Sequence, residues 1–593
     1  MSFRYRPLPF DDPQPVNRVA ASLQVAAGVP AVLEALGSAK GMIVLDGFPG
    51  ARFEEIAAGL RRVSPEWDLV DASTLLRAAL DELLAAYLPM DRETDPELIF
   101  GRLFDKDYAA ILDLAKVADL LRGIAVSGRP TLIYGLGAAA EPLRKHASAV
   151  FFIDVTPKDL ALRVHDGRYR CLGAGPNLDV DTIARQTYFV DVELAVRLRK
   201  QLVVEDQLAG YILDSERSLQ IMSWSELRAV LDELRDRPLR AKPVYVEGVW
   251  GGQFVKRLRE IPDDMVDKVA WAFDLIPTEA SLLIDSGPVQ IDVPFMTVMD
   301  AVGEHLIGDT LYRRFDGRFP VRFNYDDTWH SNGNMSVQVH PSDDMIQQLH
   351  GDIEAQNEAY YIVLTGHGAK TYCGFKGDGH RFLELCRQSE RDGSDVPYQD
   401  YIHSVDSEVG RQIFLPHGTI HSSGRNQLVL ELGTITSGAY TYKIYDYNRP
   451  DITGKPRPIH TKLAGLALAY DRNADWVGEH IAFPPRLVAE GPGWVDYLVG
   501  HYDGMYIDTH RIEIAAGQSY AASNTTGFTV LALVDGESAH VRTDTGEYQA
   551  GYLDVILVPA SAPNYTVLAD PRHPIVVHKT LIREDRFQAW QTS

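Results

Sequence analysis

Apolar runs of strand length alternate with amphipathic helical stretches along the first 235 residues. GMIVLDGFPGARFEEIAAGLRRV, from Gly41, reads as a buried strand, a glycine turn and an amphipathic helix. PTLIYGLG (130–137) and AVFFIDVTP (149–157) are further strands, followed by the helix KDLALRVHDGRYR. This β-α-β alternation predicts a parallel sheet flanked by helices. Residues 1–17 read as an extended arm, 18–38 as helical, and DRPLRAKP (236–243) as a linker. Beyond it the period drops to two, and SVQVH (336–340), AYYIVL (359–364) and IFLP (413–416) predict short strands. A helical stretch at 380–403 interrupts them, and residues 505–585 are strand-rich with regular turns.

A chain of 593 residues exceeds one core and implies several domains. Its hydrophobic content of 45% and charged content of 24% are those of an ordinary globular protein. The net charge of −24 argues against nucleic acid or an anionic membrane surface as partner. Cys171, Cys373 and Cys386 have neither CxxC spacing nor disulfide density, which predicts a cytoplasmic protein. No apolar run approaches the ~20 residues of a membrane span, and the N-terminus lacks a signal-peptide apolar region. A homo-oligomer is compatible with this composition. His146 and His165 are the only histidines before residue 300, so metal chemistry belongs to the C-terminal half.

Alternate residues of a strand share a face, so Gln338 and His340 look the same way. Pro341 then ends that strand, Glu358 stands at the entrance of the next, and His421 lies just past a Pro-His-Gly turn. A single strand histidine is usually a packed or surface residue, so the weight rests on the combination. Two nitrogens and two oxygens converging from neighbouring strands suit Zn²⁺ or another divalent ion with a position left open for substrate. The order Q-x-H, Glu, P-x-G-x-x-H resembles the two-motif pattern of cupins, small β-barrels with ligands in the barrel mouth.

A wider resemblance starts at VWGG (249–252). It continues through RFPVRF (318–323), MSVQVHPSDD (335–344), NEAYYIV (357–363), LPHGTIHSSG (415–424) and TYKIYDYNRPDITGKPRPIH (441–460). These motifs, in this order, resemble class I mannose-6-phosphate isomerases over about residues 244–593. The resemblance implies a metal-binding cupin domain over 244–470 with a helical insert near 376–405. A second cupin-like β domain without metal follows over 471–593. It implies Gln338, His340, Glu358 and His421 as metal ligands and a sugar or sugar phosphate as substrate. It also places Lys443 where the family has a site arginine, as a sugar-binding residue or an acid–base. Glu431 is a base or supports the ligands, and His417 is a rival ligand or base. Gln356-Asn357 replaces the family's Lys-Thr before the metal-binding glutamate.

The first part, residues 41–235, resembles uridine-kinase or phosphoribulokinase-like P-loop kinases in layout. It lacks G-x-x-x-x-G-K-[ST], so a degenerate nucleotide site is expected. Asp46, Arg52, Arg163 and Arg170 are its candidate phosphate contacts. The expected fold is thus multidomain: an arm and helix (1–40), an α/β P-loop-kinase-like domain, then a mostly-β double cupin. The expected function is metal-dependent aldose–ketose isomerisation. The alternative is a non-catalytic or regulatory sugar- or nucleotide-binding protein with a pseudo-kinase domain.

Overall fold

The computed structural model describes residues 5–175, 178–435, 437–452, 454–455 and 457–592. The first unit is built on a parallel sheet of β1 (Met42–Gly47), β2 (Asp68–Asp71), β3 (Thr131–Tyr134), β4 (Ala149–Asp154) and β5 (Gly210–Asp214). Their spatial order is β2-β3-β1-β4-β5, with antiparallel β6 (Leu219–Ser223) and Ala26–Ala27 continuing beyond β5. All six residues of β1 are buried, as expected of a strand covered on both faces. After a glycine turn, helix α1 (Phe53–Val63) buries Ile56, Ala57 and Leu60, one stripe at helical spacing.

The helix expected over 18–38 is confined to Val29–Ser38. Gly28, at φ 87°, and Pro30 in the first turn set its start. Upstream, Val16–Arg18 instead pairs in parallel with Ser281–Asp285, and Ala26–Ala27 pairs with β6. Sheet partners distant in sequence outweigh the local helical period here, and periodicity within a window carries no trace of them.

Residues 236–243 are likewise no loose spacer. The Leu239 amide donates to Leu557 O at 2.8 Å. Buried Arg240 pairs with Asp554 at 2.9 Å, and Lys242 reaches Asp11 and Asp292 at 2.9 and 2.6 Å. Arg199 joins the two halves more deeply. Wholly buried on helix Val192–Val204, it contacts Asp154 at 3.2 Å and Asp300 of helix Phe295–Ile307 at 2.8 Å.

Two facing sheets make the next unit. One orders β14 (Gln412–Leu415), β11 (Glu358–Thr365), β16 (Gln427–Thr434), β9 (Val321–Asp327), β8 (Trp271–Leu275) and β7 (Val244–Val246). The other orders β13 (Ile402–Asp406), β12 (Lys370–Phe375), β15 (His421–Ser423), β10 (Val337–Val339) and β17 (Tyr442–Tyr445). Helix Gly379–Asp392, capped by the Asp378 carboxylate on the His380 and Arg381 amides, lies between β12 and β13 in sequence. The last unit packs a six-stranded and a four-stranded sheet around their own core, including Ile512, Leu531, Ile556 and Val567. A second core runs without a break from the first unit to the last, through Phe152, Tyr360 and Leu557.

Gly252 of VWGG pairs with Val269 by hydrogen bonds of 2.9 and 3.1 Å, under the buried Asp327 carboxylate. A Cβ there would fall inside the shell of Asp327 Oδ1 and 2.7 Å from the Trp329 amide. That carboxylate accepts from the Trp329 and Val255 amides at 2.9 and 2.8 Å, so it has little room to yield. Gly252→Ala is expected to destabilise the protein by about 1–3 kcal/mol. A thermal midpoint equal to the parent's would refute this overpacking.

Candidate metal centre

Four side chains from the two sheets meet between them. Gln338 lies on β10 opposite His421 of β15 in the register. His340 follows immediately after β10, and Glu358 opens β11 on the facing sheet. His340 Nε2 stands 3.0 Å from Glu358 Oε1, and His421 Nε2 stands 3.1 Å from Glu358 Oε2. Gln338 Nε2 is 3.2 Å from His421 Nε2. Among the described residues, His340, Glu358 and His421 form the one group of three His, Cys, Asp or Glu side chains placed to share an ion. Their ligand atoms lie within 4.8 Å of one another and all three are buried.

Both imidazoles are fixed from behind. His340 Nδ1 donates to Ala439 O at 3.1 Å, and His421 Nδ1 donates to Thr419 O at 2.9 Å. This turns each Nε2 inward, the orientation that metal-ligating histidines require. His340 Nε2 and Glu358 Oε2, though close to their neighbours, make no well-directed hydrogen bond in the protein. Buried polar atoms are rarely left so. The donor set and these unsatisfied atoms fit a divalent metal ion. Burial would push the Glu358 carboxyl up, but the imidazoles of His340 and His421 hold it well below the usual range.

Lys443 of β17 faces Gln338 in the register, is buried, and lies 4.0 Å from Asp446. Lys443 and Glu431 line the same cavity of about 120 Å³ as Gln338 and Glu358. Burial, with the negative charge of Glu358, raises the Glu431 carboxyl. Asp326 beside it is pushed up well above the carboxylate range, by burial first and then by Glu431. His417 is separate. It is absent from both the ligand group and the cavity wall, and its amide is tied to Asn357 Oδ1 at 3.0 Å. Asp446 is buried and held by Arg449 at 2.8 Å and by Arg457.

Sequence reasoning overlooked Arg322 as part of this site. Arg322 pairs with Glu431 at 2.8 Å and donates to Gln356 Oε1 at 3.1 Å, while Gln356 Nε2 donates to Glu358. Gln356 thus relays a cation's field to the ligand carboxylate. A signal existed: Arg322, Asn324 and Asp326 alternate with Phe323 and Tyr325, and all three polar groups are buried on β9.

The candidate contacts of the first unit are occupied by protein. Buried Asp46 accepts from the Gly47 and Ala139 amides, each at 2.7 Å. Arg52 reaches Asp214 at 2.8 Å, and Arg163 reaches Asp214 and Glu216, each at 3.0 Å. Arg170 donates to Gly175 O at the surface.

Residues 28–236 match a family described as a domain of unknown function, DUF8485. Mannose-6-phosphate isomerase ManA of Bacillus subtilis (strain 168) is 29% identical over 227 residues, 38% of this chain and 66% of that protein. Mannose-6-phosphate isomerase of Streptococcus mutans is 26% identical over 230 residues, 37% of this chain and 66% of that protein. The chain spans about two thirds of the length of these two relatives. Bacillus subtilis YvyI is 22% identical over 334 residues, 56% of this chain and 95% of that protein. The crystal structure of mannose 6-phosphate isomerase from Bacillus subtilis superposes with a TM-score of 0.47 at 18% identity. It covers 58% of this chain and 100% of that one. Among the described residues, no helix is long and apolar enough to cross a membrane. Part of this chain is therefore homologous to mannose-6-phosphate isomerases, and the stretch preceding it matches a family without an assigned function.

Proposed function

We propose that the two-sheet unit is a metal-dependent aldose–ketose isomerase of the mannose-6-phosphate isomerase type, acting on mannose 6-phosphate or a related sugar. The observation that carries this reading is the buried His340–Glu358–His421 group, whose Glu358 lines a cavity together with Gln338, Lys443 and Glu431. Gln338, His340, Glu358 and His421 would hold the ion, Zn²⁺ in the simplest case. When bound, such an ion supplies Lewis-acid polarisation of a sugar carbonyl. Glu431, its proton affinity raised by burial and by Glu358, takes the proton from the carbon beside the carbonyl and returns it to the neighbouring carbon. Lys443 hydrogen-bonds the oxygens on which enediolate charge develops. Arg322 keeps Glu431 oriented through their 2.8 Å contact. Burial of all these groups excludes water that would compete for their hydrogen bonds.

Elemental analysis, followed by mannose 6-phosphate turnover before and after chelation, tests the proposal. Bound metal without turnover of any sugar phosphate would overturn it. Lys443→Gln is expected to lower kcat by about 10²–10⁴-fold, with metal content unchanged. Wild-type kcat in that variant would remove Lys443 from the chemistry.

For the first unit, the parallel sheet with a glycine turn before α1 supports descent from a P-loop-kinase-like fold. The capture of Arg52 and Arg163 by Asp214 and Glu216 supports a role other than phosphate binding there.

A further inference from the structure

The cavity over the metal centre is not made by the barrel alone. Tyr5 of the N-terminal arm and Ile99 and Phe100 of the first unit line it opposite Gln338, Glu358 and Lys443. The segment carrying Ile99 and Phe100 is held at both ends. Asp95 accepts from the Phe100 amide at 2.7 Å, and Arg185 donates to the Phe100 carbonyl at 2.6 Å. Past it, the Leu103 amide donates to His350 O, and His350 Nδ1 donates to Gly101 O, each at 2.8 Å. The Phe100 ring packs edge-on against Tyr442 at 5.2 Å and His460 at 4.9 Å. Tyr442 directly precedes Lys443 on β17, and the His460 amide donates to Lys443 O at 2.7 Å. Tyr5 rests on Trp271, ring centres 5.1 Å apart.

We propose that Tyr5, Ile99 and Phe100 form a specificity-determining wall of the substrate chamber, so that the N-terminal unit sets the length of sugar the metal centre accepts. This rests on the isomerase reading above. The three side chains carry no charge, so they meet a sugar through ring and aliphatic faces, and a phosphate belongs beside Arg457, which also lines the cavity. Such a wall acts by shape: a chain too long for the chamber meets a fixed surface, and one too short leaves contacts unmade. In this assignment the first unit has exchanged phosphate chemistry of its own for shaping its neighbour's site.

The test uses the full chain loaded with zinc. Ile99 is half-buried, so Ile99→Ala widens the chamber and Ile99→Trp fills it with limited disturbance of the core. The first readout is the rate at which 4-(2-pyridylazo)resorcinol extracts zinc, which needs no sugar. Extraction should be severalfold faster in Ile99→Ala and Tyr5→Ala and severalfold slower in Ile99→Trp, with one zinc stoichiometry throughout. The second is the ratio of KM for mannose 6-phosphate to KM for erythrose 4-phosphate. It should rise by about tenfold in Ile99→Trp and fall in Ile99→Ala. Equal extraction rates in all four proteins would overturn the wall. A parent that turns over neither sugar would overturn the isomerase reading, while extraction would still decide the wall.

Discussion

His340→Ala is expected to lose its bound metal and at least about 10³ in turnover of mannose 6-phosphate, because Lewis-acid stabilisation is worth several kcal/mol. The size follows from the geometry. His340 Nε2, Glu358 and His421 lie within hydrogen-bond reach of one another, and both rings are locked by backbone carbonyls. No other described His, Cys, Asp or Glu side chain joins that group. Elemental analysis and steady-state turnover on the same preparation check both parts. Retained metal together with retained turnover would sink the site. Loss of metal with turnover intact would leave the ligands standing and remove the ion from catalysis.

Arg199→Ala should cost about 3–5 kcal/mol of stability, the penalty for stripping a partner from a buried ion pair. Its guanidinium is wholly buried between Asp154 and Asp300, so truncation leaves two carboxylates in a site that water does not reach. Asp154 also accepts from Thr297 and Tyr211, so it is not free to turn outward. Arg199→Lys keeps the charge but not the fork that serves both acids, and should recover only part of the loss. Because the triad joins β4 to helix Phe295–Ile307, both units should unfold earlier. Differential scanning calorimetry reads this directly, and an unshifted transition for Arg199→Ala would contradict it.

The surroundings of Gln338, His340, Glu358 and His421 were legible because β10 is short and alternates, β11 is an apolar run, and a proline or glycine marks the turns beside them. Val337–Val339 keeps its valines on one face and Gln338 on the other, and Pro416 and Gly418 mark the turn before His421. The parallel sheet of the first unit was equally plain, since β1 and β4 are continuous apolar runs. The course of residues 18–27 was not, because their partners lie on β6 and beside residue 285. Arg322 was visible in the alternation of β9, yet its meaning depends on Glu431, brought opposite Asn324 by pairing across 107 positions. Ile99 and Phe100 gave no local sign at all. Their place beside Lys443 is a product of how two units pack.

The parallel pairing of Val16–Arg18 with Ser281–Asp285 sets a clock on biosynthesis. Val16 aligns with Leu283, so the arm leaves the ribosome long before its partner strand exists. At a usual elongation pace the wait is on the order of 15–50 seconds. During that interval Val16–Arg18 has no strand to pair with, although Asp11 nearby can already reach Lys158 of the first unit. Slowing or hastening translation between these two stretches should therefore alter the yield of native protein without changing a single residue.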